Sequence, residues 1–204
     1  MCIRDRVIDH IALYLLEHGT VLYGTMRCIG RIAFPVFAFL IAEGFIHTRS
    51  RYRYFFTLLG FAVISEIPWY LLNGADGTYN VMFTLALGLA TLMVLENLLQ
   101  RSLVLGFLWT LGMAVLASWL GVDYEWRGIL IIVASYLFNG YGHSFTYSRD
   151  MQFFCTFALV IHYGVIGAVM ACMILYVYNG TRGFVQGSIA KYGFYAFYPV
   201  HLLF

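Results

Sequence analysis

The chain is expected to be all-α, a polytopic transmembrane helix bundle of about eight membrane segments, and three observations predict it. Of its 204 residues, 62% are hydrophobic, 19% aromatic and only 11% charged. A soluble domain of this size needs a largely polar surface, which this composition cannot supply. The apolar runs are continuous over roughly 18–22 residues, the length of a bilayer-crossing helix, rather than alternating over about ten as in a barrel. The connections between them are short and rich in turn residues, as in Asn73-Gly74, Asn139-Gly140 and Asn179-Gly180.

The elements follow in order. A first segment runs from Val7 to Leu16 and is too short to cross a bilayer by itself. The next covers Ile29 to Ile46, with Pro35 inside it, and a third covers Tyr54 to Leu72. Val81 to Leu99 and Leu103 to Leu120 are uninterrupted apolar runs, and Ile129 to Phe138 is a shorter one. Phe153 to Ile161 and Ile166 to Tyr178 form either one tilted span or two pieces broken at His162-Tyr163-Gly164. A last helix begins near Tyr195. Residues 1–6, MCIRDR, have the character of a translated adaptor remnant, leaving 7–204 as one integral-membrane domain whose first and last segments are expected to be truncated.

Lys/Arg asymmetry sets the orientation. Arg49, Arg51 and Arg53 place the loop after the second segment in the cytoplasm. Asp76 then lies outside, Arg101 inside, and Asp123 to Arg127 outside. Simple alternation would carry Arg182 and Lys191 outside as well, against the rule, unless the segment before Ile161 re-enters or makes an extra pass. The net charge of +2 points to no nucleic-acid partner; the implied partner is the lipid bilayer. Cys2, Cys28, Cys155 and Cys172 are scattered and read as small hydrophobes rather than a disulfide framework or a zinc site. No metal motif of the His-Glu-x-x-His kind occurs, so no metal site is expected.

Ionisable groups at membrane depth are functional candidates by default, because each costs several kcal/mol unless paired or hydrated. Asp9 and His10 are adjacent, hence about 100° apart on a helix. His10 can act as a general base and Asp9 can pair with a cation from elsewhere. The bland alternative is a helix-end pair hydrated by headgroups. Arg27 and Arg31 share a helix face and either clamp an anion or snorkel to the interface. Pro35 frees the carbonyl of Arg31 and can open a polar pocket.

Glu43 and His47 are spaced for a carboxylate–imidazole pair, or for a polar helix end. Glu66, just before Pro68, and Asn80 with Thr84 one turn later either line the same cavity or bond neighbouring helices. The arginines at 49, 51 and 53 either receive the phosphates of a cytosolic donor or serve only as the topology signal. His162 reads more simply as a packed imidazole. His201 follows Pro199 in the first turn of the last helix, facing either the core or the headgroups.

Taken together, Asp9-His10, Gly30-Arg31-Ile-Ala-Phe-Pro35, Ala42-Glu43-Gly44, Ser65-Glu66-Ile-Pro68, Phe83-Thr84-Leu85, Tyr178-Asn179-Gly180 and Phe197-Tyr198-Pro199-Val-His201-Leu resemble the TraX family. These are membrane proteins associated with N-terminal acetylation of conjugative pilin. The likeness extends over nearly the whole chain from Val7, with the Gly-Arg-x-Ala-Phe-Pro and Phe-Tyr-Pro-x-His-Leu runs the most specific. It implies a bundle distantly similar to integral-membrane acyltransferases. By the same resemblance His10 is the catalytic base or acyl carrier; Arg31, Glu43, Glu66 and His201 line the cavity, which Asn80 joins by its position; and Asn179 and Arg182 join the arginines at the donor side.

The expected function is therefore transfer of an acetyl group from acetyl-CoA, a co-substrate rather than a bound cofactor, to an amine or hydroxyl of a pilin or cell-envelope acceptor. Two alternatives belong to other classes: a small transporter or flippase with a proton-relaying Asp/Glu/His cluster, and a noncatalytic assembly partner. Paired interrupted helices in both halves would mark a transporter; Pro35 and Pro68 lie in the first half, with no counterpart in the second.

Overall fold

The computed structural model of the protein describes residues 20–74, 77–138, 149–178, 193 and 196–200. Helix α1 (Val21–His47) begins earlier than Ile29 because Arg27 stays within it. Arginine is a good helix former. Ser50 caps α2 (Arg51–Asn73), accepting from the backbone N–H of Arg53 at 3.4 Å. Asn80 caps α3 (Val81–Arg101), accepting from Met82 at 3.0 Å. Helix α4 (Leu103–Leu120) follows after Ser102 and ends at Gly121, whose φ of 67° suits a residue without a side chain. Helix α5 is Glu125–Leu137, extended by one turn ahead of Ile129.

The stretch left open as one span or two is two helices, α6 (Arg149–Val160) and α7 (Val165–Val177), joined by a 3₁₀ turn over Ile161–Tyr163 and by Gly164 at φ 130°. They run antiparallel: Cys172 Sγ lies 3.7 Å from the carbonyl of Phe153, and the rings of Phe153 and Tyr176 meet edge-on. At 12 and 13 residues each is only ~18–20 Å long at about 1.5 Å per residue, shorter than the roughly 30 Å hydrocarbon core. An antiparallel hairpin adds no net crossing, as the alternative in which the segment before Ile161 re-enters or makes an extra pass expects; Arg182 and Lys191 lie outside the described residues. Residues 196–200 are helical again.

Helix α3 is the hub and packs on α1, α2, α4 and α5, while α7 lies against α1 and α6. Its inner face, with Leu89, Leu92 and Leu95, meets Ile129 and Ile132 of α5 and Leu58 of α2 in one core. Outward, α2 and α4 expose large apolar side chains along their length, among them Phe56, Ile64, Leu71, Phe107, Val115 and Trp119. Among the described residues three helices, Arg51–Leu72, Val81–Arg101 and Leu103–Leu120, are long and apolar enough to cross a membrane. A greasy exterior around a packed interior is the signature of a helix bundle solvated by lipid. Several hydroxyls inside it return to their own helices: Ser65 to Phe61, Thr91 to Leu87 and Thr110 to Gly106.

Candidate functional site

Polar side chains gather at the two ends of the bundle. One end holds the close of α1, the start of α2 and the closes of α3 and α5. Here Arg51 grips Glu96 with both terminal nitrogens, Nη2 to Oε1 at 2.9 Å and Nη1 to Oε2. Its guanidinium lies 4.3 Å from the centroid of the Phe45 ring, which in turn meets Tyr136 edge-on at 5.6 Å. A bidentate Arg–carboxylate pair stacked on an aromatic face is strong and geometrically demanding. It ties α1, α2, α3 and α5 together.

Beside it stands a second pair. His47 Nδ1 donates to the carboxylate of Glu43 at 3.1 Å and to the Glu43 carbonyl at 3.0 Å. Glu43 is only 9% exposed, whereas the His47 side chain is 42% exposed. With Nδ1 donating, the neutral imidazole keeps its lone pair on Nε2. The next residue explains the Ala-Glu-Gly sequence. A Cβ at Gly44 would lie 2.8 Å from the Tyr54 hydroxyl, so a glycine lets α2 close against α1 at the pair. Arg49 and Arg53 are exposed at this same end. Among the described residues, a carboxylate binds Arg51 of the three arginines into the helix packing, so it stands as a strut between two solvent-facing cations.

The opposite end is built around Asn80, which is fully buried. Its Nδ2 donates to Glu66 Oε2 at 2.6 Å and to the Ala62 carbonyl at 2.9 Å, and its backbone N–H donates to Glu66 Oε2 at 3.4 Å. Thr84 donates to the Asp123 carbonyl, and Tyr79 and Asp123 link the two loops backbone to backbone. Tyr124 and Glu125 have positive φ (65° and 44°), and Tyr124 lies flat on Phe34 with ring centroids 3.6 Å apart. Gly128 allows this packing, since a Cβ there would lie 2.5 Å from Thr84 Cγ2. Glu66, Asn80 and Thr84 therefore do come together, as a hydrogen-bonded junction of α2, α3 and the α4–α5 turn.

Asp9, His10, Asn179, Arg182 and His201 lie outside the described residues. Arg31 lies on α1 ahead of Pro35, with its side chain among those not described. His162 sits in the 3₁₀ turn of the hairpin, as the break at that point required. No group of three or more His, Cys, Asp or Glu placed to hold a metal occurs among the described residues. The sequence reading passed over Glu96, Tyr136 and Phe45. Glu96 carried a signal: it is the lone carboxylate in the apolar run of α3.

The family model described as TraX protein matches residues 5–204, which takes in every helix described above. The chain belongs to the TraX family. Among the relatives of this TraX-family chain is one from Dichelobacter nodosus named as a probable fimbrial assembly protein, FimC of serogroup H1. It is 31% identical over 219 aligned positions that cover 96% of this chain and 87% of that protein. An uncharacterized protein of Rickettsia prowazekii (strain Madrid E) is 29% identical over 157 positions, covering 76% of this chain and 58% of that protein's length. No solved structure matches the chain. The TraX-family match thus spans both polar ends and also the residues beyond those described, His10 and His201 included.

Proposed function

We propose that this chain is an integral-membrane acetyltransferase of the bacterial inner membrane that moves an acetyl group from acetyl-CoA to an amine or hydroxyl on a pilin or another cell-envelope acceptor. The observation that carries this is the Arg51 end. It combines a carboxylate–imidazole pair, fit for proton transfer, with two exposed guanidinium groups suited to an anionic donor. Family membership supports the acyl-transfer class, and the fimbrial relative supports a pilus-related acceptor. Arg49, Arg51, Arg53 and Arg101 gather at this end, which the positive-inside rule assigns to the cytoplasm, where acetyl-CoA is available.

In the proposed reaction the donor's phosphates meet Arg49 and Arg53, with Asn179 and Arg182 as further donor-side residues and Arg51 holding the loop in place. His10, with Asp9 beside it, removes a proton from the acceptor or carries the acetyl group transiently. Arg31 orients Asp9 or stabilises the developing oxyanion. Glu43, Glu66 and His201 shape the polar interior.

The test is acetyl-labelled acetyl-CoA with the protein purified in detergent, following thioester loss and label transfer beside His10→Ala. Loss of label only with His10 intact, with the variant reduced about a hundredfold, is the expected result. Equal turnover in His10→Ala would discard that residue's role, and no turnover by folded wild type would discard the enzyme. The double variant Arg49→Gln/Arg53→Gln is expected to raise the KM for acetyl-CoA about tenfold with little change in kcat, and the effect should shrink at high salt. An unchanged KM would remove both arginines from the donor site.

A noncatalytic assembly role is the second reading, favoured by the relative's name and by how completely Asn80 is bonded to its neighbours. Stable association with a pilin subunit without acetyl transfer would establish it.

A further inference from the structure

We propose that the α6–α7 hairpin is a gate. Its arrangement in the structure is the closed state, and it swings off the bundle to bring the inward face of α6 to water or to another uncharged hydrogen-bonding molecule. The proposal is independent of the acetyltransferase reading.

The inward face of α6 carries the argument. Gln152, Thr156 and Val160 recur every four residues, so they lie along one side of the helix, and all three are buried, at 6%, 0% and 2% exposure. Two of the three are polar, and neither Gln152 Nε2 nor Thr156 Oγ1 has a hydrogen-bond partner among the described residues. Ser135, fully buried on α5, is a third such group, and α5 is a helix against which α6 packs. Thr91 and Thr110 show the ordinary solution, since their hydroxyls return to carbonyls one turn back. Thr156 and Ser135 do not take it. Orphaned polar groups thus occur where the hairpin meets the bundle.

A buried polar group left without a partner costs roughly tenfold or more in an equilibrium constant, and lipid offers no substitute. Such groups favour any alternative arrangement in which they are bonded. The hairpin can supply one. Its helices are short, 12 and 13 residues, and they hold each other through Cys172 on the Phe153 carbonyl and Phe153 against Tyr176. The struts described above lie elsewhere: the Arg51–Glu96 pair and the Asn80 junction tie α1, α2, α3 and α5 to one another. A self-contained pair of helices resting on a polar seam is the kind of unit that opens below the global unfolding free energy. The strip has no charged side chain, so its amide and hydroxyl groups suit an uncharged hydrogen-bonding partner rather than a phosphate or carboxylate.

The experiment places Thr156→Cys in the full chain, in lipid nanodiscs, and treats it with a charged, water-soluble methanethiosulfonate reagent. Mass spectrometry identifies the modified cysteine. Thr91→Cys, equally buried on α3, is the comparison. The cysteine at 156 is expected to react about tenfold faster than the one at 91. Adding Gln152→Met, apolar and of similar length, removes an orphan from the closed state. It should slow the reaction at 156 about tenfold and raise the unfolding midpoint in an SDS titration. Equal rates at 156 and 91 would overturn the gate, because the strip would then stay closed. Fast labelling that Gln152→Met leaves unchanged would also overturn it, since it would mean a permanently wet groove. A lower midpoint for Gln152→Met would do the same, by showing that the amide is bonded in the closed state. If Thr156→Cys does not fold, Gln152→Cys with and without Thr156→Val gives the same comparison.

Discussion

Replacing Asn80 by leucine is expected to destabilise the bundle by about 4 kcal/mol, read as a lower unfolding midpoint in an SDS titration in mixed micelles. Three separate losses make up the figure. The α3 cap at Met82 is worth ~1 kcal/mol. The Ala62 carbonyl and the Glu66 carboxylate each lose a buried donor, at roughly 1–3 kcal/mol apiece. Asn80→Asp is the sharper companion. It keeps the capping oxygen but sets a second carboxylate against Glu66, so it should also fail, and only Glu66→Gln in the same chain should ease it. A loss below about 1 kcal/mol for Asn80→Leu would show that the junction is not where the two loops are held. A variant that stays stable yet loses turnover would instead give Asn80 and Glu66 the cavity role that their sequence pattern suggests.

That double possibility shows where legibility in the sequence ends. The bundle itself was readable because bilayer thickness dictates run length, and the runs at 81–101 and 103–120 could hardly be anything else. The place of the hairpin turn was readable as one of two alternatives, since His162-Tyr163-Gly164 interrupts an otherwise apolar stretch; the structure decides for two helices, with Gly164 at a φ that side chains resist. Asn80 as a helix start was visible in its type and place, but its bond to Glu66, 14 residues earlier, was not. Glu43 and His47 were legible as a pair because helical spacing brings them together locally. Glu96 was not, because its partner lies 45 residues away and only the packing of α2 on α3 joins them.

The run of arginines is the most instructive case, since three like residues at 49, 51 and 53 look equivalent. Helical geometry separates them: with α2 beginning at Arg51, the side chains of Arg51 and Arg53 point about 200° apart. One faces α3 while the other faces out. A Coulomb partner selects the inward one, so the charge run divides into a strut and a docking pair.

Breaking that strut is the second large effect expected. Glu96→Met alone leaves the Arg51 guanidinium against Phe45 with no carboxylate, and Arg51→Met alone strands Glu96 at the end of an apolar helix. Each is expected to cost about 3 kcal/mol, at the low end of the range for buried pairs because Arg51 is 38% and Glu96 22% exposed. The double variant Arg51→Met/Glu96→Met removes both charges and fills the space with apolar side chains. It should cost less than the two single losses added together, with a coupling of roughly 2 kcal/mol, because no uncompensated charge remains. Additive losses would mean that the contact contributes nothing of its own. The same double variant separates the two roles available to Arg51. If it recovers both stability and the wild-type KM for acetyl-CoA, the guanidinium serves the packing of α2 on α3 and the donor's phosphates belong to Arg49 and Arg53. Recovered stability with a raised KM would place Arg51 at the donor as well, and would mean that the ion pair must open each time coenzyme A binds.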